Sequence, residues 1–215
     1  MGAASLRIEN KVQDRHLIGD QMDILHGIQS PEIDLSLWRR PIQRSIANEV
    51  SKLTSSSLPG RKFLTSLNNI DADISSLMEH QGLNPDKFIH LRYDLYRLAK
   101  TFSAITRKTD LVSRLFTTND NGCSRFHVDR MNKRLICSYQ GPGMMWLTES
   151  QLDREAQHGY GTNEEIVRFG EPRPIECSWV GVMKGDPNNI GKGLVHRSPS
   201  IDDASLTRIV FCLDG

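Results

Sequence analysis

The stretch CSRFHVDR, residues 123–130, alternates Phe126 and Val128 with His127 and Asp129. Residues two apart on an extended chain share a face. The octet therefore predicts a strand with one side for packing and one side that presents an imidazole and a carboxylate together. Two readings stay open at this point, half of a metal site or a polar pair at a strand end, and the surrounding chain has to separate them.

Working outward, LVSRLFTT (111–118) and RLICSYQ (134–140) flank the octet as strands, with NDNG between as a turn. GPG (141–143) and MMWL (144–147) follow. After a long polar stretch from Thr148 to Pro174 come CSWVGVM (177–183), GLVH (193–196) and LTRIVFCLD (206–214). Short strands joined by Gly- and Pro-rich turns, with no helical stripe between them, predict a double-sheet or barrel-like domain over 109–215. Residues 150–174 are long enough for a lid and carry His158 and Tyr160, along with Asp153, Glu155, Glu164 and Glu165, from which a hydrolase would draw its acid or base.

A metal held by His127 and Asp129 needs a third ligand, and His196 at the end of GLVH is the candidate. Two histidines and one carboxylate occupy one face of ferrous iron and leave positions open. The same set holds catalytic zinc. Arg208 narrows the choice. Alternation in LTRIVFCLD puts Leu206, Arg208, Val210 and Cys212 on one face and Thr207, Ile209, Phe211 and Leu213 on the other. A guanidinium in so apolar a strand must meet an anion or reach solvent, so the alternatives are a bound carboxylate and a structural salt bridge.

The first 108 residues read mainly as helices. Ile42, Ile46, Val50 and Leu53 recur at helical spacing behind Pro41; Phe63, Leu67, Ile70, Ile74, Leu77 and Met78 form a second stripe. Asn84 caps a third, with Pro85 at its first position and Phe88, Leu91, Leu95, Leu98, Phe102 and Ile105 on one face. Trp38 with Arg39 and Arg40 reads either as a binding patch or, as expected here, as Trp38 anchoring the entering chain with the two arginines toward solvent. His80 and His90 are expected on surfaces and not as ligands.

Lysine and arginine number 27 against 26 acidic residues, so no bulk positive field favours extended nucleic acid or an anionic membrane. The four cysteines are spaced 14, 40 and 35 apart without a Cys-x-x-Cys pair, and are read as thiols of a reducing, cytoplasmic compartment. MGAASLRIEN has no apolar signal core, and Leu6 stands where a myristoylation signal takes Ser or Thr.

The order His-x-Asp, distal His, then Arg 12 positions later on the last strand resembles the double-stranded β-helix of the iron(II) and 2-oxoglutarate dependent oxygenases. The resemblance implies that His127, Asp129 and His196 ligate iron and that Arg208 receives the far carboxylate of 2-oxoglutarate. Tyr139 is implied as a second contact to that carboxylate. More closely, CSRFHVD, RLICSYQGPGMMW, MKG, GLVHRSP and RIVFCLD resemble a mostly bacterial family with the blocks Cys-x-Arg-Phe-His-x-Asp, Tyr-x-Gly-Pro-Gly-x-x-Trp and His-Arg-Ser-Pro. Some of its members are linked to zinc homeostasis. Met144 and Met145 depart from the small and acidic residues usual there, which implies a different substrate contact.

The combined expectation is an α+β chain, with a helical scaffold over 1–108 packed on a jelly-roll, cupin-like metal-binding domain over 109–215. The expected function is an iron(II) and 2-oxoglutarate dependent oxygenase acting on a small molecule or peptide. The alternatives are a non-catalytic zinc or iron protein of metal homeostasis and a metal-dependent hydrolase or lyase.

Overall fold

Leu135, Cys137 and Tyr139, Val180 and Val182, and Ile209, Phe211 and Leu213 recur at every second position of their strands and share one core with the helices, and that pattern builds the architecture. The computed structural model describes residues 9–11, 15–201 and 206–215; the amino-terminal stretch read for targeting signals lies mostly outside them. The strands are β1 (Glu9–Lys11), β2 (His16–Gly19), β3 (Leu35–Trp38), β4 (Phe63–Ser66), β5 (Asp110–Thr118), β6 (Lys133–Gln140), β7 (Met145–Trp146), β8 (Arg173–Pro174), β9 (Val180–Lys184), β10 (His196–Arg197) and β11 (Arg208–Asp214). The α-helices are α1 (Arg44–Val50), α2 (Ile70–His80), α3 (Ile89–Thr106), α4 (Arg154–His158) and α5 (Asn163–Ile166).

Eight strands form one sheet in the order β1-β2-β3-β9-β6-β11-β5-β4, and β10-β7-β8 form a second. All pairings are antiparallel except β2 with β3. Leu91, Leu95, Leu98 and Phe102 of α3 share one core with Leu135, Val182, Ile209, Phe211 and Leu213 on the large sheet. Burying side chains of this size contributes about 1.5–3 kcal/mol each, so this layer fixes which face of the sheet is left for the site.

The amino-terminal stretch is not a separate helical scaffold. Four of its segments, β1, β2, β3 and β4, are strands of the large sheet. Phe63 pairs with Ser113 in β4 instead of opening the second helix, which begins at Ile70. A four-residue strand carries only two residues per face, too few to compete with a neighbouring helical period. The third helical segment begins as read, with Asn84 accepting a hydrogen bond from the Asp86 amide at 2.9 Å.

Arg40 also differs from the expectation. It is 8% exposed, donates to both carboxylate oxygens of Asp94 at 2.7 Å and to the Ser178 carbonyl. Arg39 instead pairs with Asp20 near the surface. No helix among the described residues is long and apolar enough to cross a membrane.

Candidate metal centre

The octet 123–130 is not a regular strand. Only His127 is paired, in an isolated bridge to His196, with both backbone N–H···O bonds at 3.0 Å. The local alternation nevertheless survives. Phe126 and Val128 pack with Leu147, Leu152, Ile166 and Val195, which turns His127 and Asp129 the other way. The GLVH segment is likewise short, with only His196 and Arg197 in β10.

The bridge puts the two imidazoles side by side, ring centroids 4.6 Å apart. Nδ1 of His127 lies 2.8 Å from the Arg125 carbonyl oxygen, and Nδ1 of His196 lies 3.1 Å from that of Leu194. A carbonyl only accepts, so each Nδ1 carries its hydrogen and each Nε2 is left as the coordinating atom. Those atoms face Asp129, at 3.8 Å from Oδ1 for His127 and 3.3 Å from Oδ2 for His196. Ligand atoms of the three residues lie within 4.8 Å of one another, and among the described residues this is the one such group of three or more.

Electrostatics suit a cation. Burial and the neighbouring His196 lower the pKa of His127, which favours the neutral ring a metal requires. Burial pushes the Asp129 carboxyl up, but the hydrogen bond and charge of His196, with the charges of Arg134 and His127, outweigh it and hold the group well below the usual carboxylate range. Arg134 donates to Asp129 and grips Asp214 through two bonds of 2.6 and 2.9 Å. Gly185 is required beneath this arrangement. A Cβ there would lie 2.3 Å from the carbonyl oxygens of Asp129 and Met131, so any side chain would displace the backbone that carries Asp129.

His127, Asp129 and His196 open on a cavity of about 410 Å³ between the two sheets. Its floor is the second face of the large sheet, Arg208, Val210 and Cys212 of β11 with Arg134, Ile136 and Ser138 of β6. Arg208 is 5% exposed. It donates to the Pro199 carbonyl at 2.8 Å, and its buried Nε has no hydrogen-bond partner. No carboxylate lies within 4 Å of it among the described residues. Burial lowers its pKa, opposed only by the charge of Asp120. Gly141, at φ +74°, lets the preceding turn pass close by, since a Cβ there would sit 3.0 Å from the Arg208 Cα.

Tyr139 is not brought to this site. It is buried on the helical side of β6, and its hydroxyl donates to Asp94 at 2.6 Å. Residues 150–174 do not line the large cavity either. Asp153 caps α4, and Arg125 donates to the carbonyls of Gly161 and Gln157. Gln157, His158 and Tyr160 border a smaller cavity of about 220 Å³ that also touches His127. His80 and His90 lie outside the metal-ligand group: Nδ1 of His80 contacts the Ser76 carbonyl and that of His90 contacts Glu49. Met144 lines the cavity, while Trp146 is buried in the core behind it. Sequence reading missed Arg134 and Asp214; the signal for Asp214 was its place two positions beyond Cys212 on the same face of β11.

Fold and site together define a two-sheet protein with a His-x-Asp…His group and a buried arginine on one cavity. The chain belongs to the family described as protein of unknown function DUF1826, whose model matches residues 19–214. No curated protein matches it. Among solved structures it is similar to the dioxygenase for auxin oxidation 1 from Arabidopsis thaliana, a 2-oxoglutarate binary complex, with 10% identity, 80% of this chain and 72% of that chain covered, and a TM-score of 0.42. It is also similar to a full-length Neurospora crassa protein in complex with alpha-KG (12% identity, 89% and 76% covered, TM-score 0.41). A Pseudomonas putida prolyl-4-hydroxylase gives 9% identity, 82% and 94% covered, and a TM-score of 0.32.

Proposed function

We propose that this protein is an iron(II) and 2-oxoglutarate dependent oxygenase. The observation that carries the reading is Arg208, a buried guanidinium without a carboxylate partner among the described residues, on the cavity into which the three ligands face. An unpaired buried cation is costly unless an anion completes it. The donor set fits the metal, with two imidazole Nε2 atoms and one carboxylate, and two histidines with one carboxylate leave coordination positions open. Iron(II) and 2-oxoglutarate, when bound, supply oxidation of a C–H bond coupled to decarboxylation of the cosubstrate.

The residues have separable tasks in this reading. His127, Asp129 and His196 hold the ion; the Arg125 and Leu194 carbonyls fix the two rings; Arg134 orients the Asp129 carboxylate. Arg208 offers the planar fork that receives the far carboxylate of the cosubstrate. Asp153, Glu155, Glu164 and Glu165 do not line the large cavity, which removes the acids that a hydrolase was expected to draw from the lid.

The test is anaerobic titration of iron(II), then 2-oxoglutarate, into wild type and Arg208→Ala. The variant is expected to keep its metal affinity and lose about 2–5 kcal/mol of 2-oxoglutarate binding, the scale for truncating one partner of a buried charged pair. Undetectable 2-oxoglutarate binding by iron-loaded wild type overturns the reading in favour of a zinc or iron protein of metal homeostasis.

A further inference from the structure

We propose that the substrate of this site is an organic anion whose carboxylate, or comparable oxyanion, is received by Arg114. The proposal rests on the oxygenase reading above and adds the substrate class to it.

Charge on the cavity wall is the starting point. Among the described residues, Lys62, Arg114, Arg134 and Arg208 face Asp120, Asp129 and Asp214, four cations against three carboxylates. A divalent ion and the dianion 2-oxoglutarate cancel each other, so one positive charge is left for the substrate. Pairing identifies which one. Arg134 is taken up by Asp214 and Asp129. Lys62 is more than half exposed and lies 3.6 Å from Asp214. Arg208 belongs to the cosubstrate in the reading above. Asp120 is exposed, accepts the Gly122 amide at 2.9 Å and makes no ion pair within 4 Å among the described residues. Arg114 remains.

Arg114 is also built to receive an anion. It is half-buried; its Nε donates to the Gly60 carbonyl at 2.6 Å, and its guanidinium carbon lies 4.1 Å from the centre of the Phe116 ring. These two contacts fix the plane of the group, and its two terminal nitrogens have no hydrogen-bond partner among the described residues. A fixed fork with free donors suits a carboxylate.

Register separates it from the cosubstrate arginine. Arg114 stands opposite Cys212, one step along the cavity face from the Asp214–Arg134 pair, whereas Arg208 stands opposite Thr118. Four residues of strand separate the two positions by roughly 13 Å. Between and around them the wall is apolar, with Phe116, Ile136, Met144 and Val210 to receive a carbon skeleton. A cavity of about 410 Å³ lies within the range that encloses small organic ligands.

The experiment uses full-length protein loaded anaerobically with iron(II) and 2-oxoglutarate. Acetate, benzoate, phenylacetate and 3-phenylpropionate are titrated calorimetrically, each against its neutral amide. At least one carboxylate is expected to bind wild type roughly 10-fold or more tightly than its amide, the scale of a charge-assisted hydrogen bond. Arg114→Gln is expected to bring that ratio to within about 2-fold, and Arg114→Lys, which keeps charge but not the fork, to an intermediate value. Both variants should retain 2-oxoglutarate affinity; a role confined to bracing Gly60 would lower stability without moving the ratio. The proposal is overturned by a wild type that prefers no carboxylate or binds none, by a preference that survives in Arg114→Gln, or by loss of 2-oxoglutarate from that variant. Failure of wild type to bind 2-oxoglutarate overturns the oxygenase reading and this one together, whereas 2-oxoglutarate binding without carboxylate preference overturns this one alone.

Discussion

Replacing His196 by Ala is expected to abolish stoichiometric metal binding while leaving a folded protein. The imidazole is buried, its Nδ1 is committed to the Leu194 carbonyl, and its Nε2 faces Asp129 at 3.3 Å. Its backbone pairing with His127 uses only main-chain atoms, so the variant keeps the bridge between the two ligand segments. Loss of a partner that merely orients a ligand costs about 10- to 100-fold in metal affinity, and loss of a ligand itself is expected to exceed that range. The measurement is anaerobic iron(II) and zinc(II) titration of both proteins, with thermal unfolding recorded with and without metal. Wild type should gain stability with added metal, because a ligand that binds only the folded state shifts unfolding by mass action; the variant should not. A His196→Ala protein that still takes up one equivalent at wild-type affinity would remove this residue from the centre.

Much of that centre was legible because its parts obey a period of two. On β11 the alternation that separates Arg208, Val210 and Cys212 from Ile209, Phe211 and Leu213 is the alternation between cavity and helical core. The same rule applied to RLICSYQ sets Arg134, Ile136 and Ser138 on the cavity side and sends Leu135, Cys137 and Tyr139 to the other. Resemblance alone had drawn Tyr139 toward the cosubstrate. Both faces of this strand are largely covered, so its composition carries no clean polar and apolar sides to mark which face holds the site.

What was not legible depends on partners distant in sequence. Strand β3 pairs with β9, joining Leu35 to Met183, and β2 lies parallel to β3. A four-residue strand whose neighbours lie so far along the chain leaves no local pattern. The polar composition of 150–174 hid the apolar anchors Leu152 and Ile166, which pack on Phe126 and Val195 and make this stretch a buttress behind the ligand segment. Arg40 follows the same logic: two adjacent arginines look alike in sequence, and only the distant Asp94 distinguishes the buried one.

Replacing Asp94 by Ala is expected to destabilise the fold by about 3–5 kcal/mol, the cost of removing one member of a buried ion pair. Arg40 and Asp94 are 8% and 2% exposed, and the carboxylate also accepts the Tyr139 hydroxyl at 2.6 Å. Truncation therefore strands a guanidinium and a phenol together. Burial pushes the neighbouring Cys137 thiol up, so beside the intact pair it is a neutral neighbour of Arg40. Tyr139→Phe removes one hydrogen bond and leaves the ion pair, so its expected cost is about 1–2 kcal/mol. Urea unfolding of Asp94→Ala, Tyr139→Phe and the double variant measures all three; a loss below about 1 kcal/mol for Asp94→Ala would refute the pairing. The double variant should cost less than the sum of the singles, because residues of one network couple. Tyr139→Phe should also leave 2-oxoglutarate affinity unchanged, since its hydroxyl belongs to the clamp between α3 and the sheet; a fall of the size expected for Arg208→Ala would return this tyrosine to the cosubstrate.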